Sequence, residues 1–232
     1  MQYSSPLSCG RFLRRYKRFF VDIDTDAGVI TAHCANTGSM KNCLGDGWPA
    51  FYSDAGPDTR RKLRYSLEQI QTPEGHRIGL HTGRANALVA EALARGLVPG
   101  IGADAPLRRE VPYGQEGSRI DLVAGDTYIE VKSVTLVEDD GIAYFPDSVS
   151  ARGTKHLREL TRLVEDGGKA MLIYAVQHTG ASRVRPADHI DPAYGAALRA
   201  ARTAGVRVLA LGADIRDSGI SLVRVLPVEV PD

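Results

Sequence analysis

The chain has little cysteine: only Cys9, Cys34 and Cys43 among 232 residues, with no C-x-x-C pair. An odd, scattered set is not a disulfide framework, and a reducing cytoplasm fits it. His33, Cys34 and Cys43 match no standard zinc spacing. Tryptophan is almost missing; Trp48 is the single one, so no aromatic platform for sugars is visible. Charge of one sign is also lacking. The 29 Lys/Arg and 28 Asp/Glu leave a formal net charge of +1, which excludes a global basic signature of nucleic-acid binding. No apolar run approaches the roughly 18 residues of a membrane span. The basic start lacks an apolar h-region, so a signal peptide is not expected.

What charge there is lies unevenly. Residues 1–83 carry 11 Lys/Arg against 8 Asp/Glu. Arg11, Arg14, Arg15, Lys17 and Arg18 fall within a stretch of 20 residues that has no acid. That patch suits phosphates or, equally, a solvated strand start. Phe20–Asp24 alternates apolar and acidic residues, as a half-buried strand does. Asp26–Gly28 reads as a turn, Val29–Cys34 as a second strand, and Arg61–Gln71 as a long strand opening on Arg61, Lys62 and Arg64. Short strands between turns predict a small barrel or sandwich.

Near Gly83 the pattern changes, which predicts a division into residues 1–82 and 83–232. Arg84–Arg95 has helical spacing and Gly96 as a stop. Strands are predicted at Ser118–Ala124, Thr127–Leu136 and, after an Asp140-Gly141 turn, Gly141–Phe145. Lys155–Asp166 reads as a second helix and Lys169–Val176 (KAMLIYAV) as a strand buried on both faces. Asp191-Pro192 opens a third helix that stops at Gly205, and Val206–Leu211 is a last strand. The fold class is α/β (α+β): a mixed sheet flanked by helices behind a β-rich N-terminal unit.

The residues with chemistry sit on one predicted hairpin. A two-residue Gly125-Asp126 turn pairs Ala124 with Thr127 and, further along, Asp121 with Glu130. Facing carboxylates are unfavourable unless a cation joins them. Lys132 shares the face of Glu130, while Ile120, Leu122, Ile129 and Val131 take the other. Asp121 and Glu130, with the Val131 carbonyl, are candidate ligands for Mg²⁺ or Mn²⁺. Lys132 would orient an attacking water or stabilise an oxyanion. The alternative is a structural strand pair in which Lys132 bridges two acids. Arg152, Lys155 and His156, at the start of the second helix, would hold a phosphate or lie in solvent.

The αβββαβ order with Asp, then Glu-x-Lys, resembles the PD-(D/E)XK nuclease superfamily. The stretches RRYKRFFVDI, HCANTGSM, RKLRYSLEQI, GSRIDLV, YIEVKSVTL, FPDSVSARGTKHLREL and DPAYGAALRAA resemble the sugar fermentation stimulation protein A family over nearly the whole chain. The resemblance implies an N-terminal OB-like barrel, a nuclease-like second domain, DNA binding, and regulation of sugar (maltose) metabolism. It implies a further metal ligand in Glu91; the competing reading pairs Glu91 with Arg95. Asn86, one turn earlier, would contact substrate or cap its helix. Ala35 stands where the family usually has Pro, and Thr154 where it often has Gln. DNA is the expected partner, through Arg14, Arg15, Lys17, Arg18, Arg61, Lys62, Arg64, Arg152, Lys155 and His156. Exposed strands could also pair two copies into a homodimer. Two functions compete: a DNA-binding regulator, and a Mg²⁺-dependent endonuclease.

Overall fold

The computed structural model describes residues 1–114, 117–138 and 141–231. Six strands make the N-terminal unit: β1 (Ser8–Tyr16), β2 (Phe20–Thr25), β3 (Gly28–Cys34), β4 (Pro49–Asp54), β5 (Tyr65–Gln71) and β6 (Arg77–Gly79). Their order is β3-β2-β1-β4-β5-β6, and a parallel β3–β5 pairing closes the first five into an OB-like barrel. Val21, Ile23, Ala32, Leu67 and Ile70 fill it, joined by Met40 and Cys43 from the long β3–β4 connection. Cys34 and Cys43 are therefore barrel core, with the Cys34 thiol against the Met40 sulfur at 3.6 Å.

The second unit begins with a 3₁₀ turn (Thr82–Arg84) and α1 (Ala85–Ala94). It continues through β7 (Leu107–Tyr113), β8 (Ser118–Ala124), β9 (Thr127–Val134), β10 (Ile142–Phe145) and α2 (Ala151–Glu165). It ends with β11 (Lys169–Val176), β12 (Arg183–Pro186), α3 (Pro192–Ala204), β13 (Arg207–Arg216) and β14 (Gly219–Leu226). The sheet order is β14-β13-β11-β9-β8-β7; β9, β11 and β13 are parallel, and the edges antiparallel. Each face buries its own core. Leu88, Leu122, Ile129, Val131 and Ile173 pack under α1. Ile120, Leu157, Leu160, Leu172 and Tyr174 pack under α2 and α3.

Several expectations are corrected. The strand expected at Gly141–Phe145 is β10, and it pairs with β12 in a separate two-stranded sheet; Asp140 of its expected turn lies outside the described residues. The third strand of the main sheet is β7 instead, an exposed edge that carries Pro112. Edge strands tolerate Pro because their outward N–H needs no partner. The last strand extends to Arg216 and turns back as β14. The strand expected from Arg61 starts at Tyr65, and Arg64 just before it bonds Asp54. Helix α2 starts at Ala151, capped by the Ser150 hydroxyl on the Gly153 amide at 3.0 Å.

The units meet along two seams. The Gly79 amide donates to the Gln177 carbonyl, and Ile78 bridges His178. The Asn36–Ser39 loop lies on Asp147, whose carboxylate accepts from the Ser39 hydroxyl (3.1 Å) and the Met40 amide (3.2 Å). A Cβ on Gly38 would stand 2.6 Å from that carboxylate, so the close approach requires glycine there. Residues Met1 and Tyr3 pack on the α1 side of the second unit.

Candidate metal centre

The hairpin forms in the expected register from Ala124–Thr127 to Leu122–Ile129, around Gly125 at φ +59°. The ladder stops there, one pair before Asp121 and Glu130. Two facing acids would repel, and the Asp121 carboxylate instead accepts the Val131 amide at 2.8 Å. A side chain thus replaces the next rung between β8 and β9. Beyond this point β8 parts from β9, which is why Ile120 packs under α2 and not beside Leu122 as expected. The other Asp121 oxygen accepts the Asn86 side-chain amide at 2.8 Å. Asn86 therefore orients an acid and does not cap its helix.

Glu130 is 2% exposed. One of its oxygens accepts the Lys132 ammonium at 2.6 Å and touches the His156 ring nitrogen Nδ1. Its other oxygen, Oε2, is buried with no hydrogen-bond partner. Burial pushes the Glu130 carboxyl upward, but the bonds from His156 and Lys132 outweigh it and hold the group below the usual range. Asp121 goes the other way. Burial, then the charge of Glu130, raises it despite the Val131 and Asn86 bonds. The acids therefore feel each other, and Glu130 has claimed the cations. The Tyr113 phenol, its hydroxyl also buried without a partner, is pushed up by burial and by the charges of Glu130, Glu159 and Asp121.

Glu91 is not drawn into this group. Its carboxylate takes the terminal amine of Met1, which also donates to the Ile220 carbonyl at 2.8 Å. Arg95 meets Glu91 through the backbone carbonyl. Among the described residues, no three His, Cys, Asp or Glu side chains stand close enough together to hold a metal. The arrangement is two acids with Val131 between Glu130 and Lys132. The Val131 amide faces β8, and in a strand the carbonyl of the same residue faces the same neighbour.

The basic residues divide sharply. Arg14 bonds Asp22 at 2.8 Å, and Arg64 bonds Asp54. Arg15 holds the Asn36 and Gly38 carbonyls, and Arg18 holds that of Thr37. These side chains brace the barrel and its loop. Lys17, Arg61 and Lys62 are exposed. Arg152 bonds His156 at 3.3 Å, and His156 is buried against Glu130 instead of standing at a helix start. That role was hidden because α2 begins four residues earlier than its apolar stripe suggests. Thr154 bonds back to the Ser150 carbonyl at 3.3 Å and is occupied within its own helix. No described helix is long and apolar enough to cross a membrane.

A family model described as "Sugar fermentation stimulation protein RE domain" matches residues 83–219, and one described as "SfsA N-terminal OB domain" matches residues 13–80. A sugar fermentation stimulation protein homolog of Pseudomonas paraeruginosa is 50% identical, covering 99% of this chain and 100% of that protein. Its counterpart in Shewanella halifaxensis is 48% identical over the same shares. The solved structure of Pyrococcus furiosus SfsA in complex with Ca²⁺ superposes with a TM-score of 0.85 at 28% identity, covering 99% of this chain and 98% of the other.

Proposed function

The chain belongs to the sugar fermentation stimulation protein family, and from that premise we propose that it is a cytoplasmic DNA-binding protein. In this reading it regulates sugar (maltose) metabolism and carries a nuclease-like divalent-metal site at Asp121 and Glu130. The observation that carries the metal reading is the buried, unpartnered Oε2 of Glu130 beside a second acid whose charged form is disfavoured. Lys132 and His156 both meet the other Glu130 oxygen, which leaves Oε2 and Asp121 without a cation in contact among the described residues. The Ca²⁺ held by the Pyrococcus furiosus relative supports a divalent ion as the missing component.

The donor set fits Mg²⁺ or Mn²⁺, which take one or two carboxylates and fill the remaining positions with water and phosphate oxygens. Asp121, Glu130 and the Val131 carbonyl would hold the ion; Glu91, engaged with the terminal amine, would have to exchange partners to join. A bound ion would supply charge neutralisation at a phosphodiester. The protein groups do the rest. Asn86 and the Val131 amide fix Asp121. Lys132, anchored on Glu130 and only 13% exposed, would hold its ammonium beside the phosphate that the ion binds.

The Asp121, Glu130 and Lys132 constellation also favours a second reading, an active Mg²⁺-dependent endonuclease. Plasmid incubated with Mg²⁺ or Mn²⁺ separates the two. Nicking that disappears in Lys132→Ala supports turnover; intact plasmid with retained binding supports the regulator; nicking that survives the substitution is contamination. Binding itself should weaken steeply with salt, because phosphate contacts release counterions. A flat salt profile would refute the DNA reading.

A further inference from the structure

A cavity of about 520 Å³ opens on the barrel wall, and none of its lining residues belongs to the hairpin. Phe20, His33 and Ser66 form its floor as one cross-strand row: Phe20 pairs with His33 across β2–β3, and His33 with Ser66 across β3–β5. Aligned neighbours on adjacent strands present their side chains to the same face. Leu63 adds an apolar side, while Arg61, Lys62 and His81 supply the polar rim.

The rim differs from the basic residues that brace the barrel. Neither the Arg61 nor the Lys62 side chain has a hydrogen bond or ion pair among the described residues, although both border a concave site. The charge of Glu68 couples to Arg61, but its Oε1 is engaged by Arg84 at 2.7 Å and Ser53 at 2.9 Å, and its Oε2 is buried without a partner. The Nδ1 atom of His81 is buried without a partner. His33 stacks on Phe19 at 6.3 Å between ring centroids, and Phe20 on Tyr16 at 5.5 Å, so two rings are held in place. Two cations without a hydrogen bond or ion pair, an unpartnered imidazole nitrogen and a fixed aromatic floor lie together in a space sized for a small ligand.

We propose that this cavity takes one nucleotide unit. Its phosphate lies on Arg61 and Lys62, its base lies against Phe20 and Leu63, and His33 and His81 meet its polar edges. The inference deepens the nucleic-acid reading above and rests on it. A base can enter only when it is unstacked, so the pocket selects single-stranded segments over intact duplex, as aromatic stacking sites on OB folds do. The same chemistry is offered by a free mononucleotide, and the test separates the two sources.

Calorimetry with thymidine 5′-monophosphate, thymidine, inorganic phosphate and a twelve-residue oligothymidylate provides that test, without added metal. The proposal expects the nucleotide to bind at least ten-fold more tightly than thymidine or phosphate. It expects the oligonucleotide to compete for the same site. Arg61→Gln with Lys62→Gln, both at exposed positions, should weaken nucleotide and oligonucleotide at least ten-fold, with the far-ultraviolet spectrum unchanged. Phe20→Leu should weaken the nucleotide and leave phosphate unaffected. Nucleotide binding without oligonucleotide competition assigns the pocket to a free mononucleotide. Equal affinity for phosphate and nucleotide, or full affinity in the double variant, overturns the pocket. If wild type binds plasmid but not the nucleotide, the pocket falls and the DNA reading stands. If it binds the nucleotide but not plasmid, the DNA reading falls alone.

Discussion

Replacing Asp121 by Asn tests the repulsive acid pair directly. Both Asp121 oxygens accept hydrogen bonds, one from the Val131 amide and one from Asn86. An Asn at 121 keeps the first through its oxygen. It keeps the second if the Asn86 amide turns over and accepts instead of donating, since the group offers both functions. The neutral group also removes a charge that burial and Glu130 disfavour. Asp121→Asn should therefore stabilise the metal-free fold, because it removes the charged form that burial and Glu130 penalise. The expected readout is a higher Tm for the variant in the absence of metal. The sign with pH is fixed. A carboxyl raised in the folded state costs stability as pH rises from its unfolded value through its folded value. The gain should therefore be absent below about pH 4 and grow as pH rises above it. Calcium should reverse the order. At a hundred-fold excess over Kd the wild type gains about 2.7 kcal/mol and the variant little. Thermal unfolding in EDTA and in CaCl₂, from pH 3 to 7, measures all of this. A lower Tm for Asp121→Asn in EDTA, or equal calcium shifts in both proteins, would refute the reasoning.

Two further tests concern the junction and the core. The Tyr174 and Tyr194 hydroxyls share a 2.8 Å hydrogen bond with both rings buried. Tyr194→Phe leaves the Tyr174 hydroxyl without a partner and should cost about 1–3 kcal/mol in urea unfolding. Adding Tyr174→Phe should recover part of that loss, and a strictly additive double mutant would contradict the pairing. His178, at the seam between units, is held down to about 4 by burial and then by His76. A base lowered in the folded state loses stability as pH falls from its unfolded value near 6.5 to about 4, here by roughly 3 kcal/mol. Its Nδ1 accepts the Gly180 amide at 3.1 Å, which an Asn oxygen can also do. His178→Asn should therefore flatten stability across that range, and an unchanged slope would show that His178 is not the group responsible.

Local rules carried the reading wherever the signals were local. The Asp191 cap, Pro192 and Gly205 bound α3 where expected, and KAMLIYAV is β11 to the residue. The period of two put Glu130 and Lys132 together, and the turn set the hairpin register. What was missed depends on distant partners. Strands β1 and β7 are mostly exposed and rich in Arg, so neither shows the alternation of a half-buried strand. His156 meets Glu130 across 26 residues, which no spacing rule reports. The resemblance makes Glu91 a metal ligand, yet its partner is the terminal amine of Met1, 90 residues earlier. The charges of Arg14, Arg15, Arg18 and Arg64 read as a phosphate surface because their intramolecular acceptors are invisible until the barrel closes.

The most direct measurement is a crystal soaked in Mn²⁺ and examined at the manganese absorption edge. The account predicts an anomalous peak coordinated by Asp121 and Glu130. A peak elsewhere, with those two acids still bonded only to Asn86, Val131, Lys132 and His156, would contradict it.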